Sequence, residues 1–243
     1  MWIDELVAGM SWSGRGPDGR RGYHHGNLRE ALIQAALALI AEKGPAGFTF
    51  ADAARSAGVS SAAPYRHFRD RDALLADVAR RGFELFADHL VRAWDDGRPD
   101  PFTAFENVGR AYLAFARDEP AYYSAMFEAG LSFDSDAALR QAADRSFAVL
   151  RHASEVLCAR LPPEKRPPAL MMSLHVWALS HGIASLFSRG DGGRRRLPMA
   201  PEELLEAGML IYLRGLGVIA APAGSESAGS ESAGSKSAGS KSV

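Results

Sequence analysis

The residues best suited to chemistry lie between Ser60 and Arg71. Ser60, Ser61, Ala62 and Ala63 are followed by Pro64, Tyr65, Arg66 and His67, and then, past Phe68, by the guanidinium of Arg71. Small side chains followed by hydrogen-bonding ones make a surface that suits insertion into a DNA major groove better than burial in a core. Arg66 is the one side chain in this run shaped for a bidentate contact with a guanine edge. Such a surface recognises; it makes and breaks no bond.

Two helices joined by a tight turn must hold that surface. Thr49, with Asp52 three residues on, has the pattern of a capping box opening a helix. Ala53, Ala54 and Ala57 give that helix a small apolar face. Gly58 follows its end, where a left-handed backbone suits a residue without Cβ. Val59 plugs the corner, and Ser60 or Ser61 caps a recognition helix expected over Ser61–Phe68. Pro64 then falls in its first turn, where a missing N–H costs little. Before this unit, Asn27 and Glu30 open a helix with the stripe Leu28, Leu32, Ala35, Ala36, Leu39 and Ile40, which stops at Lys43-Gly44. After it, one long helix from Arg71 to Trp94 is expected, about 35 Å in length. A continuous helix of that reach links whatever touches DNA to whatever follows.

The run from Tyr23 to Phe86 resembles the DNA-binding domain of the tetracycline-repressor (TetR) family. The first helix ending at Lys43-Gly44, the block FTFADAARSAGVS, the tetrad Tyr65–Phe68 and the helix opening Arg71-Asp72-Ala73-Leu74-Leu75 carry the resemblance. It implies that Thr49, Tyr65 and His67 bind backbone phosphate. Ser60, Ser61, Ala62, Ala63 and Arg66 would face bases or flanking phosphates. Arg71 stands where the family usually has a phosphate-binding lysine, keeping the charge with a different geometry. Phe68 reads as a brace for the small core. The implied protein is an all-α transcriptional regulator, a repressor that binds a palindromic operator in double-stranded DNA as a homodimer and is released by a small-molecule effector. Its N-terminal three-helix helix-turn-helix domain (23–70) would be joined by a connecting helix (71–94) to a ligand-binding and dimerisation bundle (71–220). Ala169–Ser188 and Ala200–Leu216 would form the interface, with Ala178, Gly182, Ala184, Ala207 and Gly208 permitting close approach.

The second half carries the aromatic content of a ligand cavity: Tyr112, Phe115, Tyr122, Met126, Phe127, Phe147, Trp177, His181 and Phe187. Singly, each of these reads as core; together, in a helical bundle, they suggest space for an effector between helices. Trp177 and His181 share one helix face, and Trp177 to Gly182 resembles the tryptophan–histidine–glycine signature of one TetR C-terminal subgroup.

The 243 residues are 47% hydrophobic, ample for a core, with a net charge of -1. Between Arg15 and Arg81, eleven Lys/Arg face seven Asp/Glu, a local basic excess beside DNA-facing residues. The single Cys158 excludes an intrachain disulfide and fits a reducing cytoplasm. No apolar run is read as approaching the roughly 18 residues that span a bilayer, so no membrane is expected. No nucleophile elbow, phosphate loop or zinc spacing is present, so no enzyme, cofactor or metal is expected. Residues 1–22, with Arg15, Arg20 and Arg21, read as a disordered extension, and 221–243 as a low-complexity tail of AGSES and AGSKS repeats. Two other readings stay open: a ligand-independent helical DNA-binding regulator, and a helical small-molecule-binding protein or enzyme with a vestigial DNA-binding domain.

Overall fold

The computed structural model describes residues 28–188 and 198–219. Among these the chain is all helical. The expected N-terminal extension, the Asn27 cap and the repeat tail lie outside the described residues.

Helix α1 (Leu28–Lys43) buries Leu32, Ile33, Ala36 and Ile40 and stops at Gly44, whose φ of 75° takes the left-handed turn. Helix α2 (Phe50–Ser56) begins on the expected capping box: Thr49 Oγ1 accepts from the Asp52 N–H at 3.1 Å, and Asp52 Oδ2 accepts from the Thr49 N–H at 2.8 Å. Gly58 (φ 71°) and a Val59 N–H bonded to Ala54 O close the turn.

The recognition element differs from expectation. In place of a helix over Ser61–Phe68 capped by serine, the chain makes a 3-10 turn, Ala63–Arg66, preceded by Ala62 with no side-chain cap. Pro64 has no N–H to return to Ser60 O, so Ser60 O accepts from Ala63 instead, and His67 and Phe68 both donate to Pro64 O. Losing that donor tightens the turn.

Helix α3 (Arg71–Trp94) begins at Asp70, whose carboxylate caps Ala73 N–H at 2.8 Å. Around it pack α4 (Pro101–Asp118), α5 (Pro120–Phe127) and α6 (Ala137–Ala159); α7 (Ala169–Ser188) and α8 (Pro201–Gly215) complete the bundle. Asp100 and Asp136 cap α4 and α6 through paired backbone N–H groups. One apolar cluster runs unbroken from Leu32 in α1, along α3, to Leu213 in α8. The unit formed by α1, α2 and the 3-10 turn therefore shares its core with the bundle.

Polar contacts reinforce that junction. Asp77, 7% exposed on α3, sits among three arginines: Arg80 at 2.8 Å, Arg29 of α1 at 2.9 Å and Arg81 at 3.4 Å. Arg81 also reaches Glu30 of α1 at 2.6 Å. No N–H is aligned on Asp77 Oδ2, so Arg29 meets it as a neighbouring charge without a well-formed hydrogen bond.

One expectation about α7 needs correcting. Ala169–Phe187 is, by length and composition, apolar enough to cross a bilayer, with a mean hydropathy of 1.3. It packs against α4, α6 and α8, with 33% of that span buried and the rest of its surface, Leu170, Leu174, Trp177 and Leu186 included, facing out. Of the small residues expected at an interface, Ala184 is buried within the chain, and a Cβ on Gly208 would lie 2.9 Å from Leu179, so Gly208 serves the α7–α8 approach within one chain. Ala178, Gly182 and Ala207 are exposed.

Candidate nucleic-acid interface and ligand cavity

The turn aims its polar residues outward. Buried Pro64 and Phe68 anchor it, and Thr49, Ser60, Ser61, Ala62, Tyr65, Arg66 and His67 are exposed, with Ala63 half-buried. Tyr65 is 64% exposed; its ring stands edge-on to Phe50 at 5.1 Å, which fixes its direction and leaves the hydroxyl outside. Phe68 braces the core beneath the Arg29 guanidinium, 5.0 Å from its ring. The Thr49 hydroxyl already donates to Asp52 at 2.7 Å. Arg71 points the other way: its Nε donates to Phe48 O at 2.8 Å, its Nη2 to Pro45 O, and its guanidinium lies over the Phe48 ring. In this conformation Arg71 ties the loop before α2 to the start of α3, a fork-shaped task that a lysine could not perform.

The second site is a cavity of about 500 Å³ among α3 to α7, within the range of small-molecule pockets. Of the residues named from the sequence, Tyr112, Met126, Phe127, Phe147 and Trp177 line it. Phe115, Tyr122 and His181 do not. Phe115 is fully buried against Phe86, at 5.0 Å. Tyr122 is half-buried, its Cβ near the position a Gly82 Cβ would take. His181 stands behind the wall, stacked on Tyr123; Phe187 is also outside the lining. Sequence reasoning did not name Phe83, Phe86 and Leu90 of α3 as lining, nor Phe133, Arg140 and Asp144 at the entrance. Their signal is present in the α3 stripe, but core and cavity wall share the same periodicity.

Behind the wall lies a polar network. The Tyr112 and Tyr123 hydroxyls stand 3.0 and 2.9 Å from His181 Nδ1. A nitrogen that accepts there carries its proton on Nε2. The Tyr112 and Tyr123 rings meet edge-on with centroids 6.4 Å apart. Burial pushes the Tyr112 phenol well above its ordinary range and raises that of Tyr123. Burial also lowers the His181 pKa, against a smaller opposing pull from Glu128. The site therefore holds neutral hydrogen-bonding groups inside apolar walls, with Arg140 and Asp144 the charges at its rim. No group of His, Cys, Asp or Glu among the described residues could hold a metal ion.

Comparison with known proteins agrees at both ends. Residues 32–78 match the family model described as bacterial regulatory proteins, tetR family, and residues 105–211 match that of the tetracyclin repressor-like C-terminal domain. The latter match is to a C-terminal model that does not carry the tryptophan–histidine–glycine subgroup name, and that finer assignment is not supported. No curated protein matches the sequence. Among solved structures, a protein of unknown function from Rhodococcus sp. RHA1 is 28% identical over 80% of this chain and 98% of its own, with a TM-score of 0.67. The TetR family transcriptional regulator PfmR from Thermus thermophilus shares the fold at 21% identity, covering 75% of this chain and 97% of its own, with a TM-score of 0.59. So does the fatty acid degradation regulator FadR from Bacillus halodurans, at 12% identity, 83% and 97% coverage and a TM-score of 0.62.

Proposed function

The chain belongs to the TetR family of bacterial regulatory proteins, and from that premise we propose that it is a repressor acting on DNA in the cytoplasm. In this reading it binds a palindromic operator as a homodimer and leaves it when a small apolar effector fills the bundle cavity. One observation carries this: α3 begins three residues after Phe68, and the same helix supplies Phe83, Phe86 and Leu90 to the cavity wall. A ligand that favours a different spacing of those walls must move the helix on which the recognition turn is mounted. Helix α5 offers a second route. Its Met126 lines the cavity and lies against Gly82 of α3, where an added Cβ would come within 2.8 Å of the sulfur, and α5 also packs on α1. Effector and operator would then oppose each other by equal factors.

The homodimer rests on α7. Its twenty residues contain no Asp, Glu, Lys or Arg, and Leu170, Leu174, Trp177 and Leu186 are exposed on it beside Ala178 and Gly182. Ile211 of α8 is 73% exposed on the neighbouring helix. An uncharged face of this extent suits a permanent partner. A dyad placing two recognition turns about 34–36 Å apart would double a readout that one short turn leaves too small for useful specificity.

The test is selection of bound DNA from a random pool, followed by variants at the turn. The pool should yield a palindrome. Tyr65→Phe keeps the ring on Phe50 and removes only the hydroxyl, so binding should weaken alike on operator and scrambled DNA. Arg66→Ala should cost about 1–3 kcal/mol at one base position and relax preference there. Recovery of no enriched sequence at low salt would end the repressor reading. Equal loss on operator and scrambled DNA for Arg66→Ala would remove its base-reading role.

A further inference from the structure

We propose that the effector is an amphiphilic organic cation, its apolar body inside the bundle and its charged head at the mouth beside Asp144; this rests on the effector cavity proposed above. The exposed members of the lining are Phe133, Arg140 and Asp144, before and on α6, with Leu174 and Trp177 on α7, so the cavity opens there. All the charge in the lining stands at this opening, on Arg140 and Asp144. The two lie one turn apart on α6, a spacing at which an arginine and an aspartate can pair. Here they do not. Arg140 faces Asp134 at 3.8 Å, and Arg145, next to Asp144 in sequence, takes Asp88 at 2.7 Å. Among the described residues no arginine or lysine stands within ion-pair distance of Asp144, which leaves its carboxylate as the uncompensated charge of the mouth.

The same opening supplies what a cation takes in place of water. Phe133 meets Phe83 at 5.9 Å and 65°, and Trp177 meets Phe147 at 6.0 Å and 66°. Rings tilted so steeply do not stack, so each pair keeps ring faces free for a third group. The negative face of an aromatic ring attracts an ammonium within about 6 Å of its centroid. An anionic head would meet the opposite conditions. Its only cationic partner in the lining is Arg140, already beside Asp134 and one turn from Asp144. Deeper in, Leu90, Val108 and Leu150 offer no charge, and the Tyr112 hydroxyl is engaged with His181 Nδ1 at 3.0 Å. A neutral apolar molecule would fill the interior and gain nothing from the mouth.

The probes are decyltrimethylammonium, 1-decanol and decanoate, which share one tail and differ in the head. Calorimetric titration of each, below the concentration at which it aggregates, reads the head alone. The wild-type chain should bind the cation about tenfold more tightly than the alcohol, and the anion most weakly. Asp144→Asn keeps the shape of an exposed side chain and removes its charge. It should weaken the cation about threefold and leave the alcohol unchanged. Arg140→Gln should tighten the cation by about the same factor. Ala143→Phe, which fills the lining from α6, should abolish binding of all three. An alcohol or anion that binds as tightly as the cation, or an Asp144→Asn chain with its preference intact, would overturn the inference while leaving the cavity reading in place. Binding of none of the three, or binding that Ala143→Phe leaves unchanged, would overturn the effector cavity, and the cationic effector with it. If Ala143→Phe fails to fold, Asp144→Asn and Arg140→Gln, both at exposed positions, still decide.

Discussion

Asp77→Ala tests the junction between the recognition unit and the bundle. The carboxylate is 7% exposed and stands within 2.9 Å of Arg29 and 2.8 Å of Arg80, with Arg81 at 3.4 Å. Removing one partner of a fully buried ion pair costs about 3–5 kcal/mol, because the other charge is left desolvated. Here the arginines can recover part of that. They are 43%, 25% and 27% exposed, Arg80 keeps Glu84, and Arg81 keeps Glu30. Arg29 loses its anion and keeps the Phe68 ring. The expected loss is therefore about 2–3 kcal/mol, roughly a 30- to 150-fold change in the folded-to-unfolded ratio. Urea unfolding at fixed protein concentration measures it as a fall in midpoint with unchanged slope. A double-mutant cycle with Arg29→Ala should return a coupling of about 1 kcal/mol, since the two residues touch across α1 and α3. A loss below about 0.5 kcal/mol, or a coupling of zero, would refute the reasoning and make the cluster a solvated group with no part in holding the two units together.

Two further outcomes follow from single groups. Thr49→Ala removes the oxygen that caps Asp52 N–H and should destabilise by about 1 kcal/mol, whereas Thr49→Ser should stay within a few tenths; equal urea midpoints for the two would show that the cap carries nothing. His181 has a lowered pKa through burial, so the unfolded chain, with its ordinary value of 6.5, takes up the proton first as pH falls. Its contribution is complete above the unfolded pKa and is lost as pH drops below it, with a slope of at most about 1.4 kcal/mol per pH unit. His181→Asn should flatten the stability profile in that window, and a slope equal to that of the wild type would exclude His181 as its source.

How much was legible without coordinates differs between the two sites. The Thr49–Asp52 box, Gly58 and the span Arg71–Trp94 could be read because each depends on residues within one or two turns. The shape of the recognition element could not. Whether Pro64 sits in a first helical turn or tightens the chain into a 3-10 turn depends on which carbonyl the neighbouring N–H groups find. Arg71 was expected at a phosphate, but its donors turn toward Phe48 and Pro45, backbone 23 and 26 residues earlier. No local pattern carries that distance.

The sequence by itself determined the all-α class, the span of α3 and local features such as the Thr49–Asp52 box and the Gly58 turn, because those follow from periodicity and local hydrogen bonding. The tertiary structure decided which apolar residues face a space and which fill one. Phe86 and Phe115 have the same character and pack ring to ring, yet one lines the cavity and the other closes the core behind it. His181, singled out as a ligand contact, stands behind Tyr112. Burial of a side chain is a local demand that hydrophobicity announces, whereas a cavity is made where five helices fail to meet, and that depends on how all of them cross.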